Sequence, residues 1–146
     1  MGICLKIIGI SNDNEKRIVY TSSDPCDGLA LMLKNKTDNY RTKQKLDEIL
    51  APDEIQAIKC TYAENSMSVS EGYESFTPEY ETPNRLQAIL NKIKRFYIQK
   101  LLSDKTISEA QFNEILFDIA TLSELYTALD IAGKQNLNVI LTVEDF

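Results

Sequence analysis

Residues 71–81 concentrate the side chains whose types could do chemistry. Glu71, Glu74, Glu79 and Glu81 interleave with Tyr73, Phe76 and Tyr80, and residues 63–81 contain no basic side chain. Two carboxyl groups held a fixed distance apart could serve as general acid and base, and several together could hold a hard cation. Serines, Gly72 and Pro78 mark this stretch as a loop, however, and nothing in its pattern fixes the acids at a working separation. Nucleophilic catalysis is served still less. The chain has no histidine, so neither a serine nor any of Cys4, Cys26 and Cys60 has the usual partner base. No Gly-x-Ser-x-Gly turn is present, and the lone Gly28 before Leu29–Leu33 makes no phosphate-binding loop. Ser11–Glu15 offers oxygen ligands but lacks the glycine and distal glutamate of a calcium loop, so it reads as a hairpin turn. The expectation is therefore no enzyme, no metal and no cofactor, with a carboxylate-based enzyme kept as an alternative.

What remains is recognition. Aromatic rings supply buried area at an interface, and carboxylates around them complement basic side chains and steer their approach. Glu71, Tyr73, Glu74, Phe76, Glu79, Tyr80 and Glu81 are accordingly expected to bind a partner, and the partner to be a basic protein such as a nuclease toxin. This describes a non-catalytic protein-binding module, in the manner of an acidic immunity protein or inhibitor. A plainer alternative keeps the acids for solubility and folds Tyr73, Phe76 and Tyr80 onto the core. An adaptor or assembly subunit that docks through helices is a third, and an apolar stripe left exposed on those helices would distinguish it.

Charge and composition narrow the field further. The net charge is −6, so nucleic acid is not an expected partner even though residues 34–45 carry a local +4 around Tyr40. With 146 residues, 43% of them hydrophobic, the chain reads as one domain, residues 1–146. No apolar run approaches the ~18 residues that would suggest a membrane span, and Met1–Lys6 lacks the pattern of a secretory leader. Three widely spaced cysteines match no zinc pattern and fit reduced thiols in the cytoplasm.

The elements that must position these side chains are legible from periodicity. Thr82-Pro83 starts a helix, because a hydroxyl can cap and proline suits the first helical position. Leu86, Ile89, Leu90, Ile93, Phe96, Tyr97 and Leu101 follow at spacings of three and four. Ser108 with Gln111 starts a second helix as a capping box, Ile107 and Phe112 being placed to staple across it. Its apolar positions run from Phe112 through Leu116, Tyr126 and Leu129, and Gly133 is the expected left-handed cap. Thr121 and Glu124 leave open a break inside this helix.

The short link at 103–107 makes the pair an antiparallel hairpin. Residues 83–105 are strongly basic, net +5, whereas residues 106–146 are net −6. Ile3–Ile10 and Arg17–Thr21 read as a β-hairpin, and Leu137–Val143 as a strand too apolar to be left as an open edge. Asp27–Leu33 and Asp53–Ile58 are expected helices, residues 34–45 a solvated loop and helix start, and Lys59–Tyr62 fits helix and strand equally well. The predicted class is α+β: a small antiparallel or mixed sheet from the N-terminal hairpin plus the C-terminal strand, covered by the helical hairpin.

Overall fold

The computed structural model describes residues 2–62 and 80–145. In chain order the elements are β1 (Ile3–Ile10), β2 (Lys16–Thr21), α1 (Asp27–Asn35), β3 (Asp38–Asn39), β4 (Gln44–Lys45), α2 (Pro52–Ala57), β5 (Cys60–Tyr62), α3 (Pro83–Ser103), α4 (Glu109–Lys134) and β6 (Asn138–Asp145). The loop pattern of residues 63–81 also allows a short strand at Ser66–Ser70, which lies outside the described residues.

β1 is central because it is apolar on both faces, and each edge finds a neighbour. β2 pairs with it antiparallel across the Ser11–Glu15 turn, where Asn14 takes a left-handed φ of 62° that asparagine tolerates. β6 pairs antiparallel along its whole length, from Ile3 opposite Asp145 to Ile10 opposite Asn138. The outer edge of β6 is taken by β5, which runs parallel to it and places Cys60 opposite Leu141. The four-stranded order is thus β2-β1-β6-β5, a mixed sheet. Residues 60–62, which sequence left open, become strand because that edge of β6 would otherwise be unpaired.

Alternation divides the sheet residues. Leu5, Ile7, Val139, Leu141 and Val143 point to one face and join a core with α1, α3 and α4. Ile8 and Ile140 lie on the other face, packed with Tyr80, and Lys6 pairs there with Glu144 at 2.6 Å. Each fully buried leucine or isoleucine contributes on the order of 1.5–3 kcal/mol, so the helix-covered face dominates stability.

The helix starts follow their sequence signals. Thr82 Oγ1 accepts from the Arg85 amide at 3.4 Å, and Ser108 Oγ accepts from the Gln111 amide at 3.1 Å. In α4 one open point is resolved and one expectation is corrected. It runs unbroken from Glu109 to Lys134; the Thr121, Ser123 and Thr127 hydroxyls donate back to carbonyls four residues earlier instead of capping a new start. Gly133 is also inside the helix and is not its cap. The left-handed residue is Asn136 (φ 57°), with the Leu137 amide donating to the Ala132 carbonyl and the Asn136 amide to that of Gly133. This Schellman closure draws Leu137 into the core, a burial that outweighs the advantage glycine would have as cap.

Candidate functional site

The loop between α1 and α2, expected to be solvated, instead sends one polar residue into the interior. β3 and β4 form a tight hairpin, closed by the Lys43 amide donating to the Asn39 carbonyl at 2.7 Å with Lys43 at φ 64°. This turn drives Asn39 inward until it is fully buried. Its Nδ2 donates to Asp118 Oδ2 at 2.8 Å and to the Tyr97 hydroxyl at 3.0 Å. Its Oδ1 accepts from the backbone amides of Arg41 and Thr42 at 3.0 and 3.2 Å. Every hydrogen-bonding position of the amide is therefore used. Gly28 allows this approach, because a Cβ there would stand 2.2 Å from Asn39 Oδ1.

Asp118 and Tyr97 reach the cluster from α4 and α3. Burial pushes the Asp118 carboxyl up to about 7, reinforced by nearby Glu114; the Asn39 hydrogen bond and the Arg41 charge act the other way. Burial likewise raises the Tyr97 hydroxyl to about 12. A cavity of about 360 Å³ opens beside Asp118, bounded by Cys26, Asp27, Arg41, Glu114 and Phe117. Across its mouth Arg41 Nη1 meets Glu114 Oε1 at 3.1 Å, and Nη2 lies 4.0 Å from Asp27 Oδ2. Burial raises the Cys26 thiol to about 12, which leaves it protonated and a poor nucleophile. A carboxyl near neutrality can exchange protons, yet each charged group lining the cavity already has a partner on its own chain. Among the described residues no three metal-ligating side chains converge. The arrangement acts as a latch that ties the 38–45 loop to both helices of the hairpin.

The opposite flank of the hairpin has the reverse character. The Gln87 side chain donates to the Tyr126 carbonyl at 3.0 Å, and Lys94 Nζ lies 5.9 Å above the Tyr126 ring. These contacts fix one outer seam. Along α3 it continues from 87 and 94 to Ile98 and Leu102, and along α4 from Tyr126 back to Leu116 and Phe112, all at helical spacing. These side chains do not enter the core: Leu102 is 75% exposed, Leu116 45%, Phe112 42% and Ile98 38%. The apolar series read from sequence along α4 therefore divides, with Ile115, Leu122, Leu125 and Leu129 turned inward and Phe112, Leu116 and Tyr126 outward. Phe112, placed by sequence to staple against Ile107, is exposed, while Ile107 packs on the core.

Of the residues expected to meet a partner, Glu71, Tyr73, Glu74, Phe76 and Glu79 lie outside the described residues. Tyr80 packs on Ile8 and Ile140, its buried hydroxyl raised to about 12 by desolvation. Glu81 exchanges both backbone hydrogen bonds with Val139, accepts from the Thr82 amide at 3.0 Å, and lies 4.0 Å from Lys59. Both are thus engaged within the chain. Sequence reasoning did not single out Asn39 and Asp118. Asp118 did carry a signal, being an acid three residues after Ile115 and four before Leu122, on the apolar face. Asn39 carried none, since only the tertiary turn buries it. No helix among the described residues is long and apolar enough to cross a membrane. No family model, curated protein or solved structure matches the chain.

Proposed function

We propose that this chain is a non-catalytic protein-binding module and that its docking surface is the outer seam of the α3–α4 hairpin. One observation carries the proposal: Ile98, Leu102, Phe112 and Leu116 remain exposed after the hairpin has covered the sheet. Single exposed apolar residues are ordinary, but four placed together at one end of two packed helices form a patch of the kind that interfaces use. Because they sit on rigid helices, little ordering entropy opposes docking. The sequence supports the same direction by lacking histidine.

The test compares affinity capture by the wild-type chain, by Leu102→Asp with Leu116→Asp, and by Arg41→Ala at the latch on the other flank of the hairpin, each partner then being purified and titrated. Binding should be lost only in the double variant. Identical titrations for the double variant and wild type would remove the seam from consideration. A second reading, an acidic inhibitor facing a basic protein, is favoured by the exposed Glu109, Glu124 and Asp130 of α4, a helix whose single basic side chain is Lys134. Reversing those three charges to lysine should abolish it, while the apolar pair of substitutions should weaken it far less.

A further inference from the structure

We infer that the cavity beside Asp118 binds a small primary alkylammonium ion, a function beyond the protein docking assigned to the seam and placed on the other flank of the hairpin. Each charged group around the cavity has a partner on its own chain, but the partners differ in kind. Glu114 meets the Arg41 guanidinium at 3.1 Å, and Asp27, which accepts the Ile3 amide at 2.7 Å, lies 4.0 Å from the same guanidinium. Asp118 has only the neutral Asn39 amide, at Oδ2; Arg41 acts on it through space and makes no ion pair with it. Oδ1 has no partner among the described residues. The side-chain oxygens sealed without a partner lie elsewhere, on Thr61, Tyr80 and Thr142. Oδ1 therefore keeps an opening although the residue is only 3% exposed, and the cavity that Asp118 lines provides it. The pocket thus contains a buried carboxyl that faces it without a counter-cation.

The lining selects the class of ligand. Asp27, Glu114 and Asp118 outnumber Arg41 and repel an anion. Among the described residues no three metal-ligating side chains converge, so the acids do not share one metal ion. A guanidinium pairs best with both oxygens of a carboxylate, and Asn39 already takes one. A quaternary ammonium has no N–H to offer Oδ1, and the single ring of Phe117 makes no aromatic cage. A primary ammonium can use Oδ1 alone, while its alkyl chain lies on Phe117 and Pro25. The volume of about 360 Å³ falls at the lower end of small-molecule sites, ~300–1,000 Å³. On binding, the Asp118 carboxyl gives its proton to solvent and the ion pair takes its place. Glu114 from α4, Asp27 from α1 and Arg41 from the 38–45 loop are the other charged groups facing it. The Cys26 thiol and the Tyr97 hydroxyl, both raised to about 12, keep their protons near neutrality. With Asp118 titrating at about 7, affinity should be about tenfold higher at about pH 8 than at about pH 6.

Calorimetric titration of the full chain with n-butylammonium chloride at about pH 8 should show saturable one-to-one binding below about 10 mM, with tetramethylammonium and butyrate at least about tenfold weaker. Asp118→Asn keeps an oxygen for the Asn39 amide and should abolish both the binding and its pH dependence, with far-ultraviolet circular dichroism unchanged. A measurement on the wild-type chain guards against a variant that does not fold: saturating butylammonium at about pH 6 should move the carboxyl carbon resonance of Asp118 to its ionised position. A resonance that stays in place, undiminished binding by a folded Asp118→Asn, or equal heats from tetramethylammonium would each overturn the site. The same ammonium occurs on lysine side chains, so Nα-acetyl-lysine methylamide is the remaining probe. It should bind at least about tenfold more weakly than butylammonium, because the Arg41–Glu114 pair across the mouth hinders anything broader than an alkyl chain. Tighter binding of that probe would assign the cavity to a lysine of another protein and overturn the free amine as its ligand.

Discussion

Asp118 and Leu116 stand two residues apart on α4 and meet opposite fates: the carboxyl is 3% exposed and the leucine 45%. The same inversion holds for the two flanks of the hairpin. Facing the 38–45 loop, Asn39, Thr42, Tyr97 and Asp118 are polar and sealed. On the outer seam, Ile98, Leu102, Phe112 and Leu116 are apolar and wet. Burying polar groups is costly unless each is paired, and leaving leucine in water forgoes stabilisation. The first cost is offset here by a complete hydrogen-bond set. The second has no offset among the described residues, and that asymmetry is why the seam and not the latch is taken as the working surface.

The largest expected effect comes from opening the latch. Asn39→Ala removes four hydrogen bonds and leaves a carboxyl, a hydroxyl and two backbone amides to find new partners in a buried site. Stability should fall by about 3–5 kcal/mol, measured as a lower midpoint in urea. A loss under about 1 kcal/mol would mean that water enters the cavity and substitutes for the amide.

Titration examines the same site from another side. The Asp118 carboxyl titrates at about 7 in the fold, against ~3.9 in the unfolded chain. The folded state therefore binds this proton more tightly. Its contribution is full below the unfolded value and is lost as pH rises through the folded one. Unfolding free energy should accordingly decline between about pH 4 and pH 8 by about 2–4 kcal/mol, and Asp118→Asn should flatten that decline. Parallel pH profiles for the variant and wild type would show that the carboxyl stays ionised, making the latch more open to water than its geometry implies.

A smaller effect is expected where the two flanks meet, at the hairpin tip. Ser108→Ala removes the hydroxyl that accepts from the Gln111 amide and should cost about 1 kcal/mol in thermal or urea unfolding. Because this cap sets how α4 leaves the connector, the variant should also weaken association through the seam. Unaltered association would separate the tip geometry from docking.

Sequence made the architecture readable where one periodicity ruled a segment. The helical hairpin, the N-terminal strands and the pairing of β6 with one of them followed from apolar spacing, caps and the need to cover an edge. The short pieces were not readable in the same way. β3 and β4 are two residues each and exist because Asn39 is held from inside. β5 is strand because β6 has a second edge. Gly133 was misleading because a local preference for glycine yielded to the burial of Leu137. The candidate site was half legible. Apolar residues along both helices were plain, but which of them would face water depended on how α3 and α4 turn about each other, and no single-helix pattern contains that angle.

The smallest expected change in stability is the most informative. Leu102→Asp with Leu116→Asp alters two side chains that the fold leaves in water, so unfolding free energy should move by no more than about 0.5 kcal/mol. Set against Asn39→Ala, this pair makes the comparison quantitative: the latch variant should lose stability first, with association falling only as the fold does. The seam variant should keep its midpoint in urea and lose association entirely. If the seam variant were instead destabilised by more than about 1.5 kcal/mol, these leucines would be contributing to the core of the chain. Their exposure would then be an inefficiency of packing, with no bearing on recognition.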